Sequence, residues 1–497
     1  MNTWLSLLPP ILAIVIAFIS RQVLLALFSG LVAGVLILHG LNYTQYPTLL
    51  DKYLVGSVAN TDHVYIILFS LFISGSVAIL YKNGGMQALI RPFIPLIKTR
   101  KQAQWSTYFS GVILFFDDYA NSLVVGNTMR SITDYHKISR EKLAYLVDST
   151  SAPIAAIALI TTWIGAELGY ISDAVTSLGI SESAYSIFLN SLPYAFYPLF
   201  TLAFIAILTS LGKDFGPMYT AEITAQNQTS TPNQIEEKLP VLQSFWFGAA
   251  PILMLIVVTF FTLIITGKNE TTHTLGEIMG NANSYTSLLW GSFVCLITTL
   301  FLSLVYTTKK LSDLFEEMVV GFGDLLPAIS VLVLAWALSD VISDLKTSDF
   351  IIGAMPSNFS AWTLPIAVFL ISAAVSFSTG TSWGTMAIIY PLAIPLAFSM
   401  MQIDETNLLY ACVASVLSGA VFGDHCSPIS DTTILSSLAS GCNHIQHVRT
   451  QLPYSLVVGG ASLLCLFLSA FISVWVCFII GVFILYFLVK NLGKNTL

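Results

Sequence analysis

Between Val421 and Ile434 the chain reads Val-Phe-Gly-Asp-His-Cys-Ser-Pro-Ile-Ser-Asp-Thr-Thr-Ile. Asp424 and Asp431 offer hard carboxylate oxygens, His425 an imidazole, Cys426 a thiol, and Ser427, Ser430, Thr432 and Thr433 hydroxyls. Such a set can hold a small cation or pass protons. Its setting is apolar: Leu408 to Ala420 precede it, and Ile434 and Leu435 resume the pattern after it. Each unsatisfied polar group costs several kcal/mol in hydrocarbon, so a lipid-facing helix cannot carry this load. Pro428 removes a backbone donor and frees the carbonyl four residues earlier, which predicts a break in the helix here. Polar broken helices at membrane depth face protein or a water-filled cavity. The stretch reads as a binding site.

Three more polar runs interrupt apolar segments. Phe116-Asp-Asp-Tyr-Ala-Asn121 lies within 104–129, Ser376 to Thr385 within 362–398, and Asp148-Ser-Thr-Ser-Ala-Pro153 is expected to break the span at 142–166. Asp117, Asp118, Asp148, Asp424 and Asp431 have no Lys or Arg beside them in sequence. A buried carboxylate needs a partner or takes up a proton. A site that alternately holds Na⁺ and protons meets that need, with Asp148, Asp424 and Asp431 as the Na⁺ candidates. Unwound carbonyls and the hydroxyls of Ser149, Ser151, Ser378, Thr379, Thr381, Ser382, Ser427, Ser430 and Thr432 can complete the ligand set.

A structural role competes at each position. Asp117 can cap the second helix of its hairpin and Asp118 can bond backbone. Asn121 and Asn127 read as satisfying hairpin backbone, and Ser or Thr hydroxyls commonly bond back to their own helix. Gly380 and Gly384 allow a turn and close packing, while Trp383 either shields the site or fills the core. His425 reads equally as a proton carrier and as a satisfied core histidine. Asp340 and Asp344, near an outer helix end, read as mouth residues. His425, Cys426, Cys442, His444 and His447 lack regular zinc-ligand spacing, and no competent nucleophile–base pair supports an enzyme.

The elements that must position these residues follow from composition. The chain has 497 residues, 55% of them hydrophobic and only 9% charged, with a mean hydropathy of +0.79. Soluble proteins carry about 25% charged residues, so this is an all-α polytopic membrane protein. A net charge of -7 offers no basic surface to nucleic acid, and the six cysteines form no disulfide framework. The N-terminal apolar segment has no evident small-residue cleavage site and reads as a retained helix. Stretches of about 20 apolar residues, enough to span, fall at roughly 4–19, 22–41, 63–82, 142–166, 187–210, 241–266, 286–307, 324–343, 408–434, 452–470 and 472–490.

Lys and Arg mark the cytoplasmic side. The segment 104–129 has them at both ends, from Lys98 to Lys101 and from Arg130 to Lys142, so it should dip in and return as a re-entrant hairpin. Between Thr347 and Val448 there is no Lys or Arg, so the hairpin at 362–398 should enter from the opposite face. The remaining basic residues place the N-terminus outside and the C-terminus in the cytoplasm, with Lys52, Lys268 and Lys346 as exceptions. Short echoes recur in the same order: Pro10-Ile-Leu12 with Pro251-Ile-Leu253, Val55-Gly56 with Val320-Gly321, and Ser151-Ala-Pro-Ile154 with Cys426-Ser-Pro-Ile429. They suggest an inverted repeat of two halves, each with a re-entrant hairpin and a broken transmembrane helix. On this reading 1–210 is the first repeat, 211–240 a cytoplasmic linker, 241–470 the second repeat and 471–497 an extra C-terminal helix. Leu311 to Phe322 reads as an interfacial amphipathic helix leading into the span at 324–343.

At Gly423-Asp-His-Cys-Ser-Pro-Ile-Ser-Asp-Thr-Thr433, with Phe116 to Asn121 and Ser376 to Thr385, the sequence resembles the NhaC family of Na⁺/H⁺ antiporters. The resemblance covers most of the chain. It implies exchange of internal Na⁺ for external H⁺ across a bacterial inner membrane, with no ATP and no cofactor, and marks Asp424, His425, Ser427, Pro428, Ser430, Asp431 and Thr432 as site candidates. The family looks also to include carriers that exchange organic acids such as malate and lactate, so a coupled carrier of organic acids or amino acids stands as the alternative. The expected partners are membrane lipid and a small ion or organic solute, and a homodimer is compatible with the sequence. A passive channel fits less well, because channels line pores with symmetric rings.

Overall fold

The computed structural model describes residues 4–496 except 41, 181, 228–243, 269–277, 279–281, 348–349, 351–359 and 402–405. The predicted linker from 228 onward, including Lys238, lies outside the described residues. Among them, eight helices are long and apolar enough to cross a membrane, or ten if each of two sharply bent pairs counts as one span.

The first half of the chain holds α1 (Leu8–Ser20), α2 (Val23–His39), α3 (Thr61–Lys82), α4 (Arg100–Ile113), α5 (Asp118–Tyr135), α6 (Arg140–Ile157), α7 (Thr162–Leu178), a short helix Ala184–Ser191, and α8 (Phe196–Leu211). After β1 (Lys213–Asp214) and α9 (Gly216–Asn227) come α10 (Phe245–Gly267), α11 (Ser284–Tyr306), α12 (Leu311–Asp344), α13 (Thr363–Thr379), α14 (Ser382–Met400), α15 (Asn407–Cys426), α16 (Asp431–Ser440), α17 (His444–Leu468), α18 (Val474–Leu492) and β2 (Lys494–Asn495).

Two helical hairpins, α4–α5 and α13–α14, stand where the interrupted segments were expected. Polar residues set their turns. Asp117 caps α5 by accepting from Ala120 N at 2.8 Å, and Thr381 caps α14 from Gly384 N at 3.4 Å. Gly380 takes φ +70°, a left-handed backbone that glycine adopts without steric cost. The predicted break at Pro428 is present, between α15 and α16.

The predicted break at Asp148–Pro153 is not. Helix α6 runs through Pro153 to Ile157, and the chain bends by 43° between α6 and α7. Proline is tolerated inside membrane helices when neighbours supply the lost bonds. The stop comes from a cap: Thr161 Oγ1 accepts from Trp163 N at 3.1 Å and Ile164 N at 3.2 Å, starting α7 afresh. Helix α7 begins inside the span expected at 142–166 and runs on past its end to Leu178, a stretch the sequence did not mark as helix. The amphipathic segment at Leu311–Phe322 is also continuous with its span, in one 34-residue helix.

The central helix α15 is nearly encased by protein, with 89% of its apolar window buried. Gly419 and Gly423 let α13 press against it: a Cβ on either would meet Phe369 O at 2.3 Å or Ala373 O at 2.2 Å. Small residues at four-residue spacing are how membrane helices approach closely.

At one end, the predicted linker begins as ordered structure. Lys142 Nζ lies 2.5 Å from Asp214 Oδ1, which also accepts from Tyr454 Oη at 2.6 Å, while Thr496 Oγ1 donates to Asp214 Oδ2 at 2.8 Å. β1 pairs antiparallel with β2 beside it. Arg100 forms an ion pair with Glu222, whose Oε1 accepts from Ser139 N at 2.7 Å. Burial alone would raise the Asp214 carboxyl, but Lys142 and the two hydroxyls hold it below the usual carboxylate range. Glu222 goes the other way: burial and the charge of Asp214 push it up despite Arg100 and Lys142.

Candidate ion-binding site

Each hairpin turn is bonded across the helix break that follows it. In the first half, Thr162 N donates to Phe116 O at 3.0 Å and Thr162 Oγ1 to Asp117 Oδ2 at 3.3 Å. In the second, Ser427 Oγ donates to Phe377 O at 2.8 Å and Asp431 N to Gly380 O at 3.4 Å. The broken backbone is thus held by protein rather than left to lipid, as it must be at this depth.

Helix α16 joins the two halves. It packs against α5 and α6, and Gly126 touches Ala439, where an added Cβ would come within 2.5 Å. Its two adjacent threonines reach different carboxylates: Thr432 Oγ1 donates to Asp424 Oδ2 at 3.2 Å, and Thr433 Oγ1 to Asp148 Oδ2 at 3.0 Å. Asp148 on α6 and Asp424 on α15 are both buried. They lie within electrostatic reach of one another, as does Asp431 of Asp424. Asp148 Oδ1 and Asp424 Oδ1 are buried without a hydrogen-bond partner among the described residues. The basic side chain next to them is His447, whose Nε2 is 4.0 Å from Asp148 Oδ2.

A polar chain on α17 supports Asp148. Gln451 Nε2 donates to Asp148 Oδ2 at 2.6 Å and to His425 O at 3.0 Å. Gln451 Oε1 lies 2.9 Å from His447 Nε2, and His447 Nδ1 lies 2.8 Å from Ser437 Oγ. An amide oxygen only accepts, so His447 Nε2 is the donor. His425 points the other way: its Nδ1 is 3.1 Å from Tyr197 Oη, and its buried Nε2 has no partner among the described residues.

The other sequence-derived candidates divide clearly. Asn121 donates to Gly111 O, Leu114 O and Thr150 O at 2.7, 3.3 and 3.1 Å, so it fastens the first hairpin to α6. Asp118 is buried against Asp117 and Trp163. Ser149 is buried on α6, and Ser151 bonds back to Asp148 O. Ser378 and Thr379 bond back to Val375 O, and Ser382 reaches Ala420 O. Ser430 caps α16, and Ser427 braces the second break. Asp431 is exposed at the start of α16, beside Tyr119. Asp344 pairs with Lys52 at 2.5 Å.

Gln451, His447 and Thr433 complete the Asp148 surroundings; from sequence Thr433 reads only as one hydroxyl of the polar stretch and His447 only as a zinc ligand without the right spacing, and Gln451 is not singled out. The signal was present: His447 and Gln451 are four apart on one helix face, inside a long helix that is otherwise largely apolar. Among the described residues, no three His, Cys, Asp or Glu side chains gather as a metal cage. A cation here would take two carboxylates plus hydroxyls and carbonyls, a hard-oxygen set suited to Na⁺ rather than to zinc.

The chain is 32% identical over 474 residues to an uncharacterized protein of Haemophilus influenzae, covering 93% of this chain and 89% of that one. Over 93 residues it is 38% identical to the malate-2H(+)/Na(+)-lactate antiporter of Bacillus subtilis, 18% of each protein. Its fold is similar to the YdaH transporter of Alcanivorax borkumensis, with a TM-score of 0.63 at 12% identity, covering 90% of this chain and 98% of that one. The model of the Na⁺/H⁺ antiporter family matches residues 154–471, which contain α15, α16 and α17 entire. This chain is a membrane transporter, not an enzyme, and belongs to the Na⁺/H⁺ antiporter family.

Proposed function

We propose that Asp148 and Asp424 form one site at which Na⁺ and H⁺ compete, and that the protein is an NhaC-type antiporter. One observation carries the reading. Two buried carboxylates from different helices each keep one oxygen unbonded, are bridged by Thr432 and Thr433, and have no Lys or Arg to neutralise them among the described residues. Two such charges persist in a membrane only with a cation or protons beside them. Protonation removes the charge that attracts Na⁺, so occupancy by one ion excludes the other, and this exclusion couples the two fluxes.

Residues 1–210 and 241–470 then act as inverted halves around the site, with 211–240 as linker and 471–497 as an added helix. The matching docking of each hairpin turn on its following break supports this symmetry. The cycle exchanges internal Na⁺ for external H⁺ across a bacterial inner membrane, with the N-terminus outside.

Purified protein in proteoliposomes free of organic solute provides the test. A Na⁺ gradient is expected to drive proton flux that Asp148→Asn and Asp424→Asn abolish. A wild type without Na⁺-dependent proton flux overturns the reading. A second reading, a coupled carrier of organic acids or amino acids, draws on the exposed Asp431 at the Gly380 turn, where an ammonium group could be met, and on the activity named for the Bacillus relative. Ion-stimulated uptake of labelled solutes separates the two.

A further inference from the structure

The proposed exchange leaves one buried carboxylate without a task. Glu167, on α7, is 1% exposed, and both its carboxyl oxygens are buried without a hydrogen-bond partner among the described residues. Among the described residues, the titratable side chains around α7 include Asp117 and Asp118 in the first hairpin turn, Asp62 and His63 on α3, Tyr185 on the short helix, Tyr285 on α11, Asp340 on α12 and Tyr390 on α14, none of them Lys or Arg. An ionised carboxylate stranded in this way is prohibitively costly, so Glu167 is held neutral by a proton.

The face that bears Glu167 continues in steps of three residues to Tyr170 and Asp173, about 4.5 Å of helix per step. Tyr170 stacks on Tyr390 with ring centroids 5.8 Å apart, and its hydroxyl has no partner among the described residues. Asp173 Oδ1 is 2.7 Å from His63 Nε2, while His63 Nδ1 is 2.7 Å from Ser57 O and the imidazole stacks on Trp336 at 3.7 Å. A carbonyl only accepts, so Nδ1 carries a hydrogen toward Ser57. The short contact between Nε2 and Asp173 then requires one more proton, shared by the pair. Asp173 keeps 12% of its side chain exposed, at the helix end away from the site. At the other end of α7, Thr162 bonds to Asp117 in the first hairpin turn.

We propose that Glu167 is a second proton-binding site, loaded from the far end of α7 through the His63–Asp173 pair and Tyr170, and delivering protons toward the two central carboxylates. The inference rests on the Na⁺/H⁺ reading and extends it. The ligand is a proton from bulk water. In each transfer Glu167 gives its proton toward a central carboxylate, the His63–Asp173 pair replaces it with one proton passed through the Tyr170 hydroxyl, and the pair is recharged with one proton from water.

Two measurements test this on the full chain. Infrared spectra at neutral pH are expected to show a protonated-carboxyl stretch in the wild type that Glu167→Gln removes. In proteoliposomes, Glu167→Gln is expected to lower Na⁺-driven proton flux about 100-fold, the lower end of what a positioned proton carrier contributes, and Glu167→Asp to restore part of it. His63→Gln is expected to shift the dependence on pH at that face, and serves the same purpose should the Gln variant not fold. An active wild type whose rate and pH profile are unchanged by these substitutions overturns the inference while leaving the exchange reading intact, and so does a wild type lacking the carboxyl band. A wild type without Na⁺-dependent flux overturns both.

Discussion

Gln451 donates a 2.6 Å hydrogen bond to Asp148 Oδ2 and is oriented to do so by His447 on its carbonyl side. A hydrogen bond to a charged group contributes about 1.5–3 kcal/mol. Gln451→Leu keeps the bulk and removes the donor that holds the Asp148 carboxylate in place. It is expected to weaken apparent Na⁺ affinity by roughly 10-fold or more. An unchanged Na⁺ affinity would show that the amide only fills space.

The carboxylates themselves can be tested without transport. A ligand present at about 100 times its dissociation constant stabilises the folded state by roughly 2.7 kcal/mol. NaCl is therefore expected to raise the melting temperature of the wild type in detergent relative to choline chloride at equal ionic strength. Asp148→Asn and Asp424→Asn should each lose that rise. An increment kept by either variant removes that residue from the ion site.

Thr433→Val and Asn121→Ala should separate ion binding from scaffolding. Thr433 gives its hydroxyl to Asp148, so Val, of equal shape, is expected to weaken apparent Na⁺ affinity by roughly 5- to 10-fold, the worth of one hydrogen bond, with little loss of fold. Asn121 makes three bonds to backbone carbonyls, of Gly111, Leu114 and Thr150. Asn121→Ala is expected to cost about 1–3 kcal/mol of stability by stranding those carbonyls, while the folded fraction keeps its Na⁺ affinity. The reverse pattern would exchange the two roles.

What the sequence disclosed depended on whether the signal was local. Pro428 breaks its helix by its own chemistry, and Gly380 turns its hairpin in the same way, so both were legible from residue types. The break before α7 was not, because Pro153 looks like a stronger stop than Thr161; neighbouring helices tolerate the first, while the second caps α7. Asp148 and Asp424 were legible as carboxylates in apolar runs. Their meeting through Thr432 and Thr433 was not, since α16 must fold back onto α5 and α6 to bring them together. Glu167 was missed because it lies just past the end of the span expected at 142–166.

The Lys142–Asp214 pair links α6 to the start of the linker, the C-terminal strand and Tyr454. Removing one member of a buried ion pair strands the other at about 3–5 kcal/mol, whereas replacing both with apolar groups is often close to neutral. Lys142→Met is therefore expected to destabilise strongly, and Lys142→Met with Asp214→Leu to recover most of the loss. The sign of the pH effect follows from Asp214. Its carboxyl is held below its unfolded value, so its contribution is complete above the ordinary carboxylate range, near 4, and disappears as pH falls through the folded value. Glu222 acts oppositely, since burial raises it and its ionised form disfavours the folded state once pH passes its unfolded value. In melting curves from neutral pH to about pH 3, the wild type should lose more stability than the double variant, because only the wild type has the Asp214 contribution to lose. Parallel losses would show that the pair contributes nothing that depends on its charge.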